Sequence, residues 1–318
     1  FVIGFIFLNM IMYVMNYKKD LNVFEKIDIL FGKFSKIINF ILFSLVTLYF
    51  MFSLWNLSIY IQNKFLDQTP KFLVMFLFLI PVIYIVNKDI KTISKVSLIC
   101  FILSIIEFLA SVFGLVNYID FNNFKPLFTN SFNEIISSSF IIIAYFITPF
   151  SLILIVPKNT IDEPKKLNKS FIYFYIIGFL EFLLITSFII SIFGIDYAKL
   201  FYYPEFSLLK KISYFDFIEH VENLLSSQWL FSLYIGSVIN LYFIKNYLKY
   251  LNIKKLKTKK IIYYIIIFVS LFISPRLFMN TTIEYHVVKE YFIYLYSIPI
   301  FVLLIIAIIL IRKEKRAN

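Results

Sequence analysis

Two glutamates lie inside long apolar runs of the chain, where a carboxyl group is costly and marks a functional site. Glu107 is near the centre of the run Val96–Tyr118 and shares one helical face with small and polar residues, namely Ser97, Ser104, Ser111 and Gly114. Such a stripe should face other helices. Glu107 is therefore a proton or ion relay or a hydrogen-bonding group for a ligand, or else a protonated acid bonded to a neighbouring helix.

Glu181 is placed in the same way, in the middle of a run and one turn from Gly178. The same two interpretations apply, and the shorter polar stripe favours the structural one. Other reactive side chains are scarce. The two histidines, His220 and His286, are far apart in sequence, and Cys100 is the single cysteine, so the sequence contains no metal-ligand cluster and predicts no cofactor.

A third feature is a proline in the middle of the run Phe132–Val156. Pro149 removes a backbone donor and clashes with the carbonyl four residues earlier, so a regular helix is interrupted there. Discontinuous helices of this kind bind substrates in secondary transporters. Tyr145, Ile147, Thr148 and Pro149 are therefore ligand-binding candidates. The alternative is a plain proline kink.

These residues belong to a strongly apolar chain. Hydrophobic residues make up 61% of it and charged residues 16%, against roughly half and a quarter in soluble domains. A spanning helix needs about 20 apolar residues. The sequence predicts an all-α polytopic bundle that forms a single transmembrane domain over residues 1–318. Its nine apolar runs are Phe1–Asn16, Ile37–Ile61, Phe72–Val86, Val96–Tyr118, Phe132–Val156, Phe171–Gly194, Leu224–Phe243, Ile261–Ser274 and Tyr291–Ile311.

Lysine and arginine are concentrated on alternate sides of these runs. Of the 31 basic residues, 23 lie in connections that would share one side of the membrane with the C-terminus. Because loop Lys/Arg bias sets orientation, we expect the C-terminus to be cytoplasmic. The net charge of +12 is explained by this bias and does not indicate a nucleic-acid partner. The chain begins at Phe1 inside an apolar run, which we interpret as an N-terminal truncation with a first helix missing.

The long outer connection carries a distinctive pattern. It reads Tyr-Pro-Glu-Phe-Ser-Leu-Leu-Lys-Lys-Ile-Ser-Tyr-Phe-Asp-Phe-Ile-Glu-His-Val-Glu from Tyr203 to Glu222, and a tryptophan follows in the next run. This stretch resembles the B-subunit permeases of spore germinant receptors (GerAB-type), which belong to the amino acid/polyamine/organocation superfamily. Leu30–Phe34 and Thr69-Pro70 are weaker matches. The residues that carry the motif are Pro204, Ser213, Asp216, Glu219, Glu222 and Trp229.

The resemblance implies a fold of ten helices in two inverted repeats, with the first and sixth helices broken at the midplane. The nine runs would be helices two to ten, and Thr148-Pro149 would be the sixth-helix break. It implies a non-enzymatic membrane subunit that senses a small amino acid-like germinant and acts with A- and C-type receptor subunits in the spore inner membrane or cell membrane. Ile147-Thr148 replaces a Gly-Glu pair of many relatives, and Asn56 replaces an acidic residue.

Other functions stay open at this point. An ion-coupled amino acid transporter of the same superfamily would use Glu107 or Glu181 to carry a coupling proton. A membrane enzyme would need a reactive group near the surface, for which His220 with Glu219 and Glu222 is the candidate. A product without activity is the remaining alternative.

Overall fold

The computed structural model describes residues 1–125, 131–213, 221–253, 255–278, 291 and 294–317. Throughout these residues the regular secondary structure is helical, and this part of the chain contains no strand. The predicted all-α class is therefore confirmed. The α-helices are α1 (Val2–Asn16), α2 (Val23–Phe31), α3 (Ser35–Lys64), α4 (Lys71–Val86), α5 (Ile90–Leu115), α6 (Phe132–Ile142), α7 (Leu167–Phe193), α8 (Ile195–Ala198), α9 (Pro204–Leu209), α10 (Glu222–Leu225), α11 (Ser227–Tyr250), α12 (Leu256–Leu277) and α13 (Ile298–Ala317).

The helices reproduce the nine predicted runs. Within the described residues, 7 helical segments are long and apolar enough to cross a membrane, and α1 and α4 are shorter apolar helices. The protein is an integral membrane protein with a polytopic helical bundle. The second predicted run is longer than expected, because α2 and α3 join through a short 3₁₀ turn into one segment, Val23–Lys64. The inverted repeat and the single domain stay predictions.

The contacts divide the chain into two compact units. Unit 1 comprises Phe1–Lys88, Asn133–Lys169 and Gly236–Asn318, and unit 2 comprises Asp89–Phe132 and Ser170–Ile235. Helix α11 contributes its first part to unit 2 and its second part to unit 1. The two units are described separately below.

Unit 1 is built around α3, which packs against α2, α4 and α12, while α1 packs against α13. Its largest fully buried side chains include Trp55, Phe24, Phe50 and Phe243. Local sequence explains the start of α2, where Asn22 and Glu25 form a reciprocal capping box. Gly32 follows α2 with φ of 51°, a left-handed value that glycine adopts without a side-chain penalty.

The end of α1 is held by a buried lysine on α2. Lys26 is 2% exposed, and its Nζ donates to the carbonyl oxygens of Val14 and Met15 at 3.0 and 3.1 Å. The last carbonyls of a helix have no partner within the helix, and a cation there is also favoured by the helix dipole. Lys26 therefore replaces the missing partners at this helix end.

Unit 2 has its own apolar core, in which the outer connection packs against the long helices. Leu208, Leu209 and Ile212 are buried in one cluster with Leu115 of α5, Phe188 of α7 and Leu225 of α10. A different connection, the one between α5 and α6, is tied to the end of α7, because Asn123 donates to the Ser191 carbonyl at 2.7 Å. The core therefore fixes the position of the connection that carries the family motif.

Candidate functional site

The predicted interruption of the fifth run is present in the structure. Helix α6 ends at Ile142, a π-helical turn follows over Ile143–Ile147, and a 3₁₀ helix extends over Thr148–Ile155. The Thr148 N–H donates to the carbonyl of Ile143, five residues earlier, which is the π-type bond. The next residue, Pro149, has no N–H, so an α-helix cannot continue in register through it. π-Turns of this kind are frequent at functional sites.

Thr148 lies at the junction and is completely buried. Its hydroxyl is 3.1 Å from the Ile143 carbonyl oxygen and 3.0 Å from the hydroxyl of Ser297. A hydroxyl has one hydrogen and two lone pairs. Thr148 can therefore donate to Ser297, or donate to the Ile143 carbonyl while it accepts from Ser297. Ser297 belongs to a second π-helical turn, residues 294–297, which leads into α13. One hydrogen bond thus joins two irregular segments that are far apart in sequence.

Aromatic rings surround this junction within unit 1. The ring of Tyr145 meets Phe52 edge-on at 5.9 Å between centroids, and Tyr296 stacks on Tyr49 at 4.7 Å. Ile147 is also buried, at 8% exposed. The predicted candidates Tyr145, Ile147 and Thr148 therefore face the interior of the unit, where they could contact a ligand or simply fill the core.

The middle of α3 and α11 supplies further polar groups. The hydroxyls of Ser53 and Ser237 are 3.4 Å apart and link the two helices. Within the described residues, three side chains in this region have buried polar atoms without a hydrogen-bond partner. They are Trp55 with its Nε1, Asn56 with its Oδ1, and Asn240 with both amide atoms. Buried polar groups are almost always satisfied, so these donors and acceptors are available to a polar molecule.

Ser297 was not identified from the sequence. The signal that could have found it is Pro299, two residues later, because a proline that closely follows a polar residue inside an apolar run also marks Thr148. Asn240 on α11 is completely buried, whereas Ser232 on the same helix is exposed.

A small cavity lies nearer the end of α1 in unit 1. Its volume is about 30 Å³, room for roughly two water molecules, and its lining is apolar except for Lys26 and Ser151. It is too small for an amino acid. The polar groups around α3, and not this cavity, are the candidate ligand contacts of unit 1.

In unit 2, the structure gives Glu107 a partner. Ser227, at the start of α11, has its Oγ 2.6 Å from Glu107 Oε1 and 2.7 Å from the Leu224 carbonyl oxygen. The second carboxyl oxygen, Oε2, is buried and has no hydrogen-bond partner among the described residues. Glu181 on α7 is half-buried and makes no hydrogen bond to the described part of the chain. Glu107 thus has a defined contact to another helix, and Glu181 has none there.

The motif residues of the outer connection have different environments. Pro204 begins α9, where a proline is favoured at the first helical position. Glu222 is 6% exposed at the start of α10, Ser213 is half-buried, and Trp229 meets Tyr203 edge-on at 6.2 Å. Asp216, Glu219, His220 and His286 lie outside the described residues. Helix α9 ends at Leu209, within the motif.

Comparison with known proteins identifies the family. A family model described as spore germination protein matches residues 1–282, which is most of the chain. The chain belongs to the spore germination protein family. No curated protein and no solved structure matches it. Membership confirms the resemblance found in the motif and supports a role in spore germination for this permease-like membrane protein. In the described residues, no group of three or more His, Cys, Asp or Glu side chains could hold a metal ion.

Proposed function

We propose that this chain is the membrane subunit of a spore nutrient-germinant receptor. It senses a small amino acid-like germinant in a permease-type pocket at the helix break and so triggers germination. The observation that carries the proposal is the buried Thr148–Ser297 hydrogen bond at the junction of two π-helical turns, in a chain that belongs to the spore germination family.

The polar groups of the break and of the middle of α3 and α11 define the chemistry of the ligand in this proposal. The hydroxyls of Thr148 and Ser297 and the amides of Asn56 and Asn240 are neutral donors and acceptors, and Trp55 adds an indole donor. Such groups suit a small molecule whose charges balance, such as an amino acid, better than one with a large net charge. The aromatic rings of Tyr145 and Phe52 would contact its apolar part.

Sensing requires that the ligand favour one conformation of the protein. A ligand shifts an equilibrium only by its difference in affinity between two states. The break supplies an element with more than one hydrogen-bonding arrangement, because the Thr148 hydroxyl can donate to Ile143 or to Ser297. A ligand that competes for this hydroxyl would change how the two π-helical turns are held together.

The remaining parts of the proposal concern location and partners. We propose that the protein lies in the spore inner membrane or the cell membrane with its C-terminus in the cytoplasm, because of the loop charge bias and the family. The signal passes to A- and C-type receptor subunits. Labelling of cysteines introduced near Arg312 on one side of sealed vesicles would test the orientation.

The experiment that tests the function is a germination assay. The full gene is deleted in its source organism, spores are prepared, and dipicolinate release is followed against a panel of amino acids and sugars. We expect selective loss of the response to one class of nutrient and recovery when the gene is restored. An unchanged profile in a strain without other germinant receptors would contradict the proposal.

A second candidate function is ion-coupled amino acid transport, which Glu107 favours because a bonded carboxyl lies within a spanning helix. The full-length protein in liposomes would then take up labelled amino acids, and uptake would collapse with the proton gradient. Equilibrium binding of the same amino acid without uptake under any gradient would favour the sensor.

A further inference from the structure

The segment Lys245–Lys260, which contains the end of α11, the start of α12 and the turn between them, has an unusual charge composition. It contains seven lysines and no aspartate or glutamate. The other four connections that the charge bias places on the same side, residues 17–36, 87–95, 157–170 and 312–318, each contain at least one acid. Acids have little influence on membrane orientation, so insertion alone does not require a segment without them. The absence of acids from this segment, here called the basic turn, therefore needs another reason.

The lysines of the basic turn have no negative partner in the described part of the chain. Lys249, Lys255, Lys257 and Lys260 are exposed, and Lys259 is half-buried. None of these five forms an ion pair or a side-chain hydrogen bond with the described residues. Lys249 lies close enough to Lys259 to repel its charge. Asp28 of α2 reaches this end of α11, but it accepts a hydrogen bond from the Tyr250 hydroxyl at 2.7 Å and pairs with none of these lysines.

The start of α12 adds to the same positive field. The first N–H groups of a helix have no partner within it, and the helix dipole favours anions and disfavours cations at that end. The first turn of α12 nevertheless contains no acid, and its N-cap residue, Lys255, makes no side-chain hydrogen bond to the helix start. Lysine charges and helix dipole therefore oppose each other here. An anion that comes from outside the protein would relieve both.

Apolar side chains of the same segment indicate the source of that anion. Leu251 and Leu256 are exposed within the basic turn, and Ile261 and Tyr264 are exposed in the turns of α12 that follow. Lysines next to exposed aliphatic side chains and a tyrosine are typical of a segment at the boundary between lipid headgroups and acyl chains. The apolar side chains can enter the acyl region while the lysines stay at the level of the headgroups. The membrane surface is therefore the partner that fits both parts of the segment.

We propose that the basic turn is a binding site for the phosphate groups of anionic lipids at the membrane surface beside unit 1. Clusters of lysine immediately next to a spanning helix attract anionic lipids. Here the exposed lysines and the free N–H groups at the start of α12 would bind the lipid phosphate. The site lies apart from the germinant pocket and does not depend on the proposed function, because none of its residues is a ligand candidate.

The test measures which lipids lie next to the basic turn. The full-length protein with Cys100→Ser and Thr258→Cys carries a fluorophore at residue 258, which is exposed between two of the lysines. It is placed in nanodiscs of phosphatidylcholine that contain a small fraction of nitroxide-labelled lipid, either phosphatidylglycerol or phosphatidylcholine. We expect the anionic lipid to quench the fluorophore more strongly, and this preference to disappear in 1 M salt, where the screening length is about 3 Å.

A triple variant and a matched control identify the residues. Lys255→Gln, Lys257→Gln and Lys260→Gln together should lower the preference for phosphatidylglycerol by about fivefold or more, since one surface lysine accounts for about a fivefold effect. The control combines Lys88→Gln, Lys91→Gln and Lys95→Gln, which removes the same charge from a connection that contains Asp89. The control should keep the preference at residue 258.

Three results would overturn the inference. The first is equal quenching by the two lipids in the otherwise unaltered protein, which would leave the lysines to an acidic protein segment. The second is an equal loss of preference in both triple variants, because that result would reflect net charge and not a site. The third is a preference that persists in 1 M salt, and this measurement decides the matter even if the triple variants fail to fold.

Discussion

Replacement of Thr148 by valine tests the proposed pocket most directly. Valine has nearly the shape of threonine, so Thr148→Val removes the hydroxyl and leaves the packing of a completely buried side chain intact. The hydroxyl is within hydrogen-bond distance of Ile143 and Ser297, and in the proposed function it also bonds the ligand. A neutral hydrogen bond contributes about 0.5–1.5 kcal/mol net, which corresponds to about a 2- to 12-fold change in an equilibrium constant.

The expected result is a rise of about 2- to 12-fold in the germinant concentration that gives half-maximal dipicolinate release. Thr148→Ser keeps the hydroxyl and should stay close to the wild type. Thr47→Val is the matched control, because the Thr47 hydroxyl donates only to the Phe43 carbonyl of its own helix, at 2.8 Å. The reasoning would be refuted if Thr148→Val, present at the normal level in spores, responded with wild-type sensitivity.

Three further predictions concern stability and pH. Lys26→Met should lower the free energy of unfolding in detergent by about 1–2 kcal/mol, because two carbonyls at the end of α1 lose a buried cation. Lys33 is exposed, so the control Lys33→Met should have little effect. Equal melting temperatures of the two variants would contradict this prediction. Burial and the nearby Lys19 lower the pKa of Lys158, which lies between two spans. Because the pKa of this lysine is lowered in the folded state, the unfolded chain binds more protons than the folded chain. The wild type should therefore gain stability relative to Lys158→Met as pH rises toward the ordinary lysine pKa of 10.5. Parallel curves of melting temperature against pH for the two proteins would disprove this prediction. Gly236→Ala should be neutral or stabilise the protein by up to about 1 kcal/mol, because an added Cβ meets nothing within 4 Å. Gly194→Ala should destabilise the protein, because Gly194 has a φ of 73°. The reverse order of the two variants in a melting assay would refute the argument.

The break in the fifth run could be predicted because its cause is local. Pro149 lacks an N–H and clashes with the preceding turn wherever it occurs in a helix, so the position of the interruption followed from one residue. Its form did not. The sequence does not say whether a proline produces a kink or a π-turn followed by a 3₁₀ helix, since this depends on what packs around it. Here the buried Thr148 hydroxyl meets Ser297, 149 residues later.

The two glutamates show the same limit. Their positions within apolar runs were clear from the sequence, and the serine stripe predicted that Glu107 faces another helix. The structure gives Glu107 a partner in Ser227, 120 residues away, and gives Glu181 no hydrogen bond among the described residues. The helical period gives Glu107 the longer polar stripe, but it specifies only a face and not the residue that the face meets.

The sequence by itself determined the membrane class, the nine apolar runs, the interruption at Thr148-Pro149 and, through the motif from Tyr203 to Glu222, the family. Each depends on composition or on residues close together in the chain, where hydropathy, helix period and backbone sterics act directly. Only the tertiary structure decided that Thr148 meets Ser297, that Lys26 holds the end of α1, and that Glu107 contacts Ser227. These contacts join distant segments, and their geometry depends on how whole helices pack.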